Sequence, residues 1–291
     1  MPNPLFTGCA TALITPFREG KVDLDALSNL VEFQIEKGID CIIACGTTGE
    51  PATMTEEERE SVIAFVARQA RGRVPVLAGT GGNNTADVIQ KARRCKELGA
   101  DGQLCVTPYY NKATQGGLIA HYTAIARDGA LPVIVYNVPS RTGVNMQPAT
   151  LAALAQEENI VGMKEASGNM AQIMEMIRLC GGKIAFYSGS DELTAPMRAV
   201  GGVGTVSVLS NICPDVMREM THGSLEEAAK LNLRYLPLIN ALFCEVNPIP
   251  VKAAAAMLGL CRNELRLPLT PLTPANEQKL QQEMQKAGLL C

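Results

Sequence analysis

Short apolar runs recur along the chain: GCATALI at 8–14, CIIACGT at 41–47, PVLAGT at 75–80 and GQLCVT at 102–107. They continue with PVIVYNV at 132–138, IVGMK at 160–164, AFYSG at 185–189 and GTVSVL at 204–209. Their apolar residues are continuous rather than alternating, the mark of strands covered on both faces, as in parallel sheets. Helical patterns lie between them. Leu24, Leu27, Val31 and Ile35 fall at helical spacing. Thr55 with Glu58 reads as a capping box ahead of Val62, Phe65 and Val66. Thr85 is placed to cap a helix carrying Val88, Ala92, Cys95 and Leu98, which Gly99 ends.

Eight strands, each followed by a helix, predict a (β/α)8 TIM barrel over residues 1–213. Residues 214–291 read as a C-terminal helical region packed on that barrel. A doubly wound sheet is the competing fold. It calls for a phosphate loop after its first strand, and ALITPFREGK is not one.

Composition narrows the class. The chain has 291 residues, 47% of them hydrophobic, enough for one large core. The net charge of −3 comes with no basic stripe, which argues against a nucleic-acid partner. No apolar run is long enough for a membrane span. The opening MPNPLFTGCATALITPF has no positive region before its apolar residues, so a secretory leader is not expected and the cytoplasm is. Ten cysteines are scattered without a CxxC pair and read as free thiols. Cys41 and Cys45 are read as sharing a strand face. With only His121 and His222 and no Cys/His cluster, no metal site is expected.

Barrel enzymes place their chemistry at the C-terminal ends of the strands. Strand two ends in Thr47-Thr48-Gly49-Glu50, strand four in Thr107-Pro108-Tyr109-Tyr110-Asn111. Strand five ends in Tyr136-Asn137, followed by Pro139-Ser140-Arg141-Thr142-Gly143. Strand six ends in Lys164, and strand seven in Ser188-Gly189-Ser190-Asp191. By alternation Ile160, Gly162 and Lys164 share one face, and an inward Gly162 leaves room beneath the lysine. The same parity puts Tyr136 with Ile134, and Thr47 with Ile43 and Cys45. An ammonium at the end of a buried strand loses hydration, and its pKa falls. The resulting neutral amine suits Schiff-base chemistry with a ketone, a phenol such as Tyr136 moving protons and Thr47 with a second tyrosine relaying them. Arg141 suits a carboxylate, and the backbone NH groups of TTGE another.

Each residue alone has a plainer reading. A strand-end lysine snorkels to solvent, a strand tyrosine fills a core, GTTGE makes a turn and Arg141 forms a surface ion pair. AGTGGNN at 78–84 matches neither common nucleotide loop. The convergence on one barrel face favours the catalytic reading.

The motifs GTTGE, TPYYNK, YNVPSRTG, GMKEASGN, NPIPVK and RLPLTPLT closely resemble the dihydrodipicolinate synthases, over about Phe6 to Leu290. The resemblance implies a (β/α)8 barrel, usually a homotetramer built as a dimer of dimers, that condenses pyruvate with L-aspartate 4-semialdehyde in lysine and diaminopimelate biosynthesis. It implies no cofactor beyond a covalent imine of pyruvate on Lys164. Carried over by motif, Tyr136 is the general acid/base, Thr47 the relay residue, and Tyr110 the second tyrosine, reaching a neighbouring subunit's site. Thr48 helps bind the pyruvate carboxylate, Arg141 receives the semialdehyde carboxylate, and Gly189 and Val206 line the pyruvate pocket. Pro51, Glu56 and Arg59 depart from the pattern of lysine-inhibited members, while Asn83 and Tyr109 remain compatible with it. N-acetylneuraminate lyase or a keto-deoxy sugar-acid aldolase shares the lysine and the strand-five tyrosine. TPYYN and PSRTG favour the synthase. A non-catalytic pyruvate-binding regulator has no need of lysine, both tyrosines and threonine together.

Overall fold

A computed structural model describes residues 4–290. Eight parallel strands close a barrel in it. In chain order they are β1 (Gly8–Ala12), β2 (Cys41–Ala44), β3 (Val76–Gly79), β4 (Gly102–Val106), β5 (Val133–Asn137), β6 (Ile160–Glu165), β7 (Ala185–Ser188) and β8 (Gly204–Ser207). Each pairs with its sequence neighbours, and β1 closes the ring against β8, with Gly8 opposite Gly204. The strands lie where the apolar runs predict. A short hairpin, Phe17–Arg18 with Lys21–Val22, follows β1 and has no counterpart in that pattern.

The helices are α1 (Leu24–Glu36), α2 (Glu56–Ala70), α3 (Thr85–Glu97), α4 (Gln115–Asp128), α5 (Pro139–Thr142), α6 (Pro148–Leu154), α7 (Met170–Cys180) and α8 (Thr194–Ala199). Then come α9 (Pro214–His222), α10 (Leu225–Ala241), α11 (Ile249–Met257) and α12 (Pro274–Lys286). The capping box at Thr55 and Glu58 is formed in both directions. The cap of α3 is one residue earlier than predicted: Asn84 accepts from the Ala86 NH, and Thr85 bonds His121 instead. Asparagine is among the best N-caps, so it wins the position over its neighbour.

Helix α9 packs against β1 and β8 and supplies the barrel's last flanking helix. Beyond it, α10 lies on α8 and α9, and α11 packs on the turn Leu209–Asn211 that follows β8. The core has an inner and an outer shell. Ile43, Leu77, Leu104, Ile134 and Tyr187 fill the barrel interior. Between strands and helices lie two larger clusters, one under α1, α2 and α9–α12 and one under α4, α6 and α7. Cys41 belongs to the interior and Cys45 to the outer shell, so the two do not share a face. Cys45 has φ +55°, which turns the chain out of strand geometry, and strand parity stops there.

Gly162 does face the interior. A Cβ there would stand 3.1 Å from the Tyr187 ring and 3.3 Å from Ile134. The space is therefore occupied: the Tyr187 ring closes the barrel beneath the lysine, stacked 4.3 Å from Phe6, and its hydroxyl donates to the Phe6 carbonyl at 2.8 Å.

Candidate active site

Lys164 sits one residue before the end of β6, in register with Tyr136 on β5 and Tyr187 on β7. Strand packing on both sides leaves it only 6% exposed. Burial pulls its pKa from the usual 10.5 to about 7; Asp191 opposes this shift and Arg141 reinforces it. Its Nζ lies 4.0 Å above the centre of the Tyr136 ring. Gly189, just after β7, makes room for the chain: a Cβ there would be 3.0 Å from Lys164 Cε and 2.7 Å from the Ala166 Cβ.

Tyr136 is buried too, and burial raises its pKa to about 12, with Arg141 and a hydrogen bond with Thr47 acting the other way. A cation and a hydroxyl beside a phenol are what a proton carrier needs to be tuned downward. Thr47 lies in the 3-10 turn Thr47–Gly49 rather than in β2, so its place beside Tyr136 comes from the turn and not from strand parity. The turn is held at several points. The Gly49 NH donates to the Gly46 carbonyl at 2.9 Å, and Thr15 Oγ1 donates to the Gly49 carbonyl at 2.7 Å. Glu50 ends it at φ +56°. Its buried carboxylate pairs with the equally buried Lys252 of α11.

Arg141 comes from the short helix α5, which Pro139 starts and Gly143 ends at φ +70°. Its Nη2 donates to the Asn247 carbonyl at 3.2 Å. The Asn247 side-chain amide donates to Thr48 Oγ1 at 3.0 Å. A cavity of about 320 Å³ opens above these groups, walled by Thr47, Thr48, Tyr136, Arg141, Lys164 and Gly189. These six are brought together as the sequence predicts.

Two predicted residues are placed elsewhere. Val206 does not border the cavity; it is buried in the barrel interior, in register with Ala10, and Val208 reaches the wall instead. Val206 lies inside β8 and Val208 beyond its end, so the latter stands nearer the open mouth. Tyr110 is 91% exposed, at φ +71°, and borders no part of this cavity.

The wall also contains Asn247, Phe243 and Glu192, which local sequence patterns did not single out. Asn247 falls in the NPIPVK stretch, the one available signal. Asp191 ends the sequence of strand seven without an assigned role; it is 1% exposed, and its Oδ2 accepts from the NH groups of Val208 and Leu209 at 3.1 and 2.9 Å. Burial raises its pKa, and hydrogen bonds from Ser207 and those two amides oppose this. Glu165 is likewise buried, accepting from Asn137 Nδ2 and from the Ser167 NH at 2.6 Å. In the helix after GTTGE, Glu56 and Arg59 pair with each other at 3.0 Å.

A neutral-leaning amine, a phenol with a hydroxyl beside it and a guanidinium around one cavity can form an imine with a ketone and move protons around it. The model of the Dihydrodipicolinate synthetase family matches residues 5–287. The 4-hydroxy-tetrahydrodipicolinate synthase of Alkaliphilus oremlandii (strain OhILAs) is 49% identical over 290 residues, covering 98% of this chain and 100% of that protein. The crystal structure of dihydrodipicolinate synthase from Aquifex aeolicus superposes with a TM-score of 0.95 at 47% identity, covering 98% of this chain and 99% of that one. The chloride-inhibited synthase from Acinetobacter baumannii, solved in complex with pyruvate, superposes with a TM-score of 0.95 at 44% identity, covering 98% and 99%. This chain belongs to the dihydrodipicolinate synthetase family.

Proposed function

We infer that this chain is a 4-hydroxy-tetrahydrodipicolinate synthase, condensing pyruvate with L-aspartate 4-semialdehyde. The observation that carries the reading is the Lys164 amine, held near pKa 7 and 4.0 Å over Tyr136, in a cavity that also holds Arg141. Close relatives bearing that name, near 50% identity over essentially the whole chain, support it.

The neutral Lys164 Nζ attacks C2 of pyruvate. The carbinolamine oxygen takes a proton and leaves as water, giving the iminium. Loss of a C3 proton makes the enamine, whose C3 attacks the aldehyde carbon of the second substrate. Tyr136 delivers and removes these protons, with Thr47 orienting its hydroxyl. The alkoxide is protonated, and attack of the substrate's own amine on C2 closes the ring and frees Lys164. Thr48 and the turn amides receive the pyruvate carboxylate beside Gly189, and Arg141 receives that of the semialdehyde. Tyr110 stands exposed on its loop and completes the proton relay of a second copy, in a homotetramer.

The test is turnover of pyruvate with aspartate semialdehyde, the product captured by its cognate reductase while NADPH oxidation is followed. It is paired with borohydride trapping of pyruvate and peptide mapping. Pyruvate-dependent turnover with the adduct on Lys164 is expected. An adduct on another lysine overturns the mechanism. An adduct on Lys164 without turnover transfers the reading to an aldolase acting on a sugar-derived aldehyde.

A further inference from the structure

The C-terminal region reaches the cavity wall at Phe243 and Asn247, and the stretch from Asn247 to Lys252 bonds to the groups around it. Asn247 is only 7% exposed and borders the cavity. Its side-chain amide donates to Thr48 Oγ1 at 3.0 Å, across 199 positions of sequence. Its backbone carbonyl accepts from Arg141 Nη2 at 3.2 Å. Its Oδ1 is buried and has no partner within the described chain. One turn further along α11, Lys252 pairs with Glu50, donates to the Glu264 carbonyl at 3.0 Å and lies 4.2 Å over the Phe17 ring. The Lys252 NH returns to the Pro248 carbonyl at 3.0 Å, so both anchors belong to one rigid segment.

We propose that Asn247 is a positioning residue that sets the two carboxylate-binding groups of the site from the C-terminal region, Thr48 through its side chain and Arg141 through its backbone. The proposal rests on the reading of Thr48 and Arg141 given above. The physical reason is local. Thr47–Gly49 is a single turn of 3-10 helix, and its backbone bonds leave the Thr48 hydroxyl to be oriented by a side-chain partner. The Asn247 amide occupies one acceptor direction of Thr48 Oγ1 and leaves its O–H to point elsewhere, toward an incoming carboxylate. Arg141 sits on a four-residue helix and has long side-chain freedom. A carbonyl on one Nη2 hydrogen leaves the other donors of its fork available for an anion. Lys252 and Glu50 fix the distance between strut and turn. The C-terminal region therefore shapes substrate binding as well as covering the barrel.

The split between side chain and backbone gives the test. Truncating the Asn247 side chain releases Thr48 and spares the carbonyl that holds Arg141. In the full chain, Asn247→Ala is expected to raise the KM for pyruvate about five- to tenfold, the loss of one neutral hydrogen bond, and to leave the KM for the semialdehyde within about twofold. The pyruvate concentration that half-saturates borohydride trapping on Lys164 shifts by the same factor. That second readout needs no aldehyde, so it tests the strut even where wild-type turnover fails and the functional reading falls with it. Thr48→Val removes the acceptor, so adding Asn247→Ala to it produces no further change. Thr48→Ser keeps the acceptor, so adding Asn247→Ala to it raises the KM for pyruvate by the same factor as in the parent chain. Asn247→Ser, too short to reach Thr48, gives the same reading if the alanine variant does not fold. Equal rises in both KM values, or effects that multiply in the double variant, overturn the proposal.

Discussion

Replacing Lys164 by methionine removes the amine and should make the protein more stable, by an amount that depends on pH. The folded chain holds this lysine near pKa 7, against 10.5 for a lysine in water. The unfolded chain therefore binds more protons than the native one between those two values, and stability rises with pH across that window. Below pH 7 the penalty for the lysine is fully present; above 10.5 it is gone. Linkage gives a penalty of roughly 4 kcal/mol at pH 7 and about 2 kcal/mol at pH 9. Methionine carries no charge, matches the length of the buried stem and keeps a favourable contact over the Tyr136 ring. Its advantage over lysine should accordingly halve between pH 7 and pH 9. Urea denaturation of both proteins at the two pH values, at one fixed chain concentration, measures it. A methionine variant that is less stable at pH 7, or whose advantage does not change with pH, refutes the buried-amine reasoning. In the proposed mechanism the same titration governs imine formation. At pH 7 about half of the lysine is neutral, roughly a thousand times more than at the ordinary pKa. The rate of imine formation should fall tenfold per pH unit below 7, followed by single-turnover trapping of pyruvate.

Tyr136→Phe keeps the ring under Lys164 and removes the hydroxyl to which the proposed mechanism assigns proton transfer. Turnover should drop roughly 10²–10⁴-fold while the borohydride adduct still forms on Lys164, checked by steady-state kinetics and peptide mapping. Lys252→Met leaves the Glu50 carboxylate buried without its cation, and should cost about 3–5 kcal/mol in urea unfolding; adding Glu50→Gln should return much of that loss. Gly162→Ala should cost about 1–3 kcal/mol, because its Cβ would press on the Tyr187 ring at 3.1 Å, and the assay is again urea unfolding.

The barrel was legible because its strands are apolar on both faces and its helices follow with their own caps and period. The lysine, the phenol, the threonines and the arginine were legible because each ends a strand or begins the loop after it. Strand parity failed where the backbone leaves the strand. Cys45 turns at φ +55°, and Thr47 takes its place from a 3-10 turn. Val206 came from the family resemblance and not from parity; it lies inside β8, and Val208, past the strand, stands at the cavity. What local pattern cannot carry is pairing over distance. The contacts of Asn247 with Thr48 and of Lys252 with Glu50 span 199 and 202 positions, and nothing in the spacing of either segment announces the other. Asp191 was visible as a polar residue at a strand end, but its two amide bonds come from the loop after β8.

The two ends of the barrel are built on opposite principles. Below the lysine, Tyr187 and Phe6 close the interior with stacked rings and a satisfied hydroxyl. Around and above it, Lys164, Glu165, Asp191, Glu50 and Lys252 are all buried. Three side-chain atoms at this end, Glu50 Oε2, Asp191 Oδ1 and Asn247 Oδ1, make no hydrogen bond within the described chain. Each such atom costs about 1–3 kcal/mol when it is fully desolvated. A fold selected for stability alone would satisfy these atoms or replace them with apolar groups. Retaining them in a packed frame fixes charges and dipoles before substrate arrives, so little reorganisation remains for the reaction itself. The apolar floor and the C-terminal strut are then the parts that let the polar end persist. The floor holds β5 to β7 in register under Lys164 and Tyr136, and the strut holds the two loops that no strand reaches.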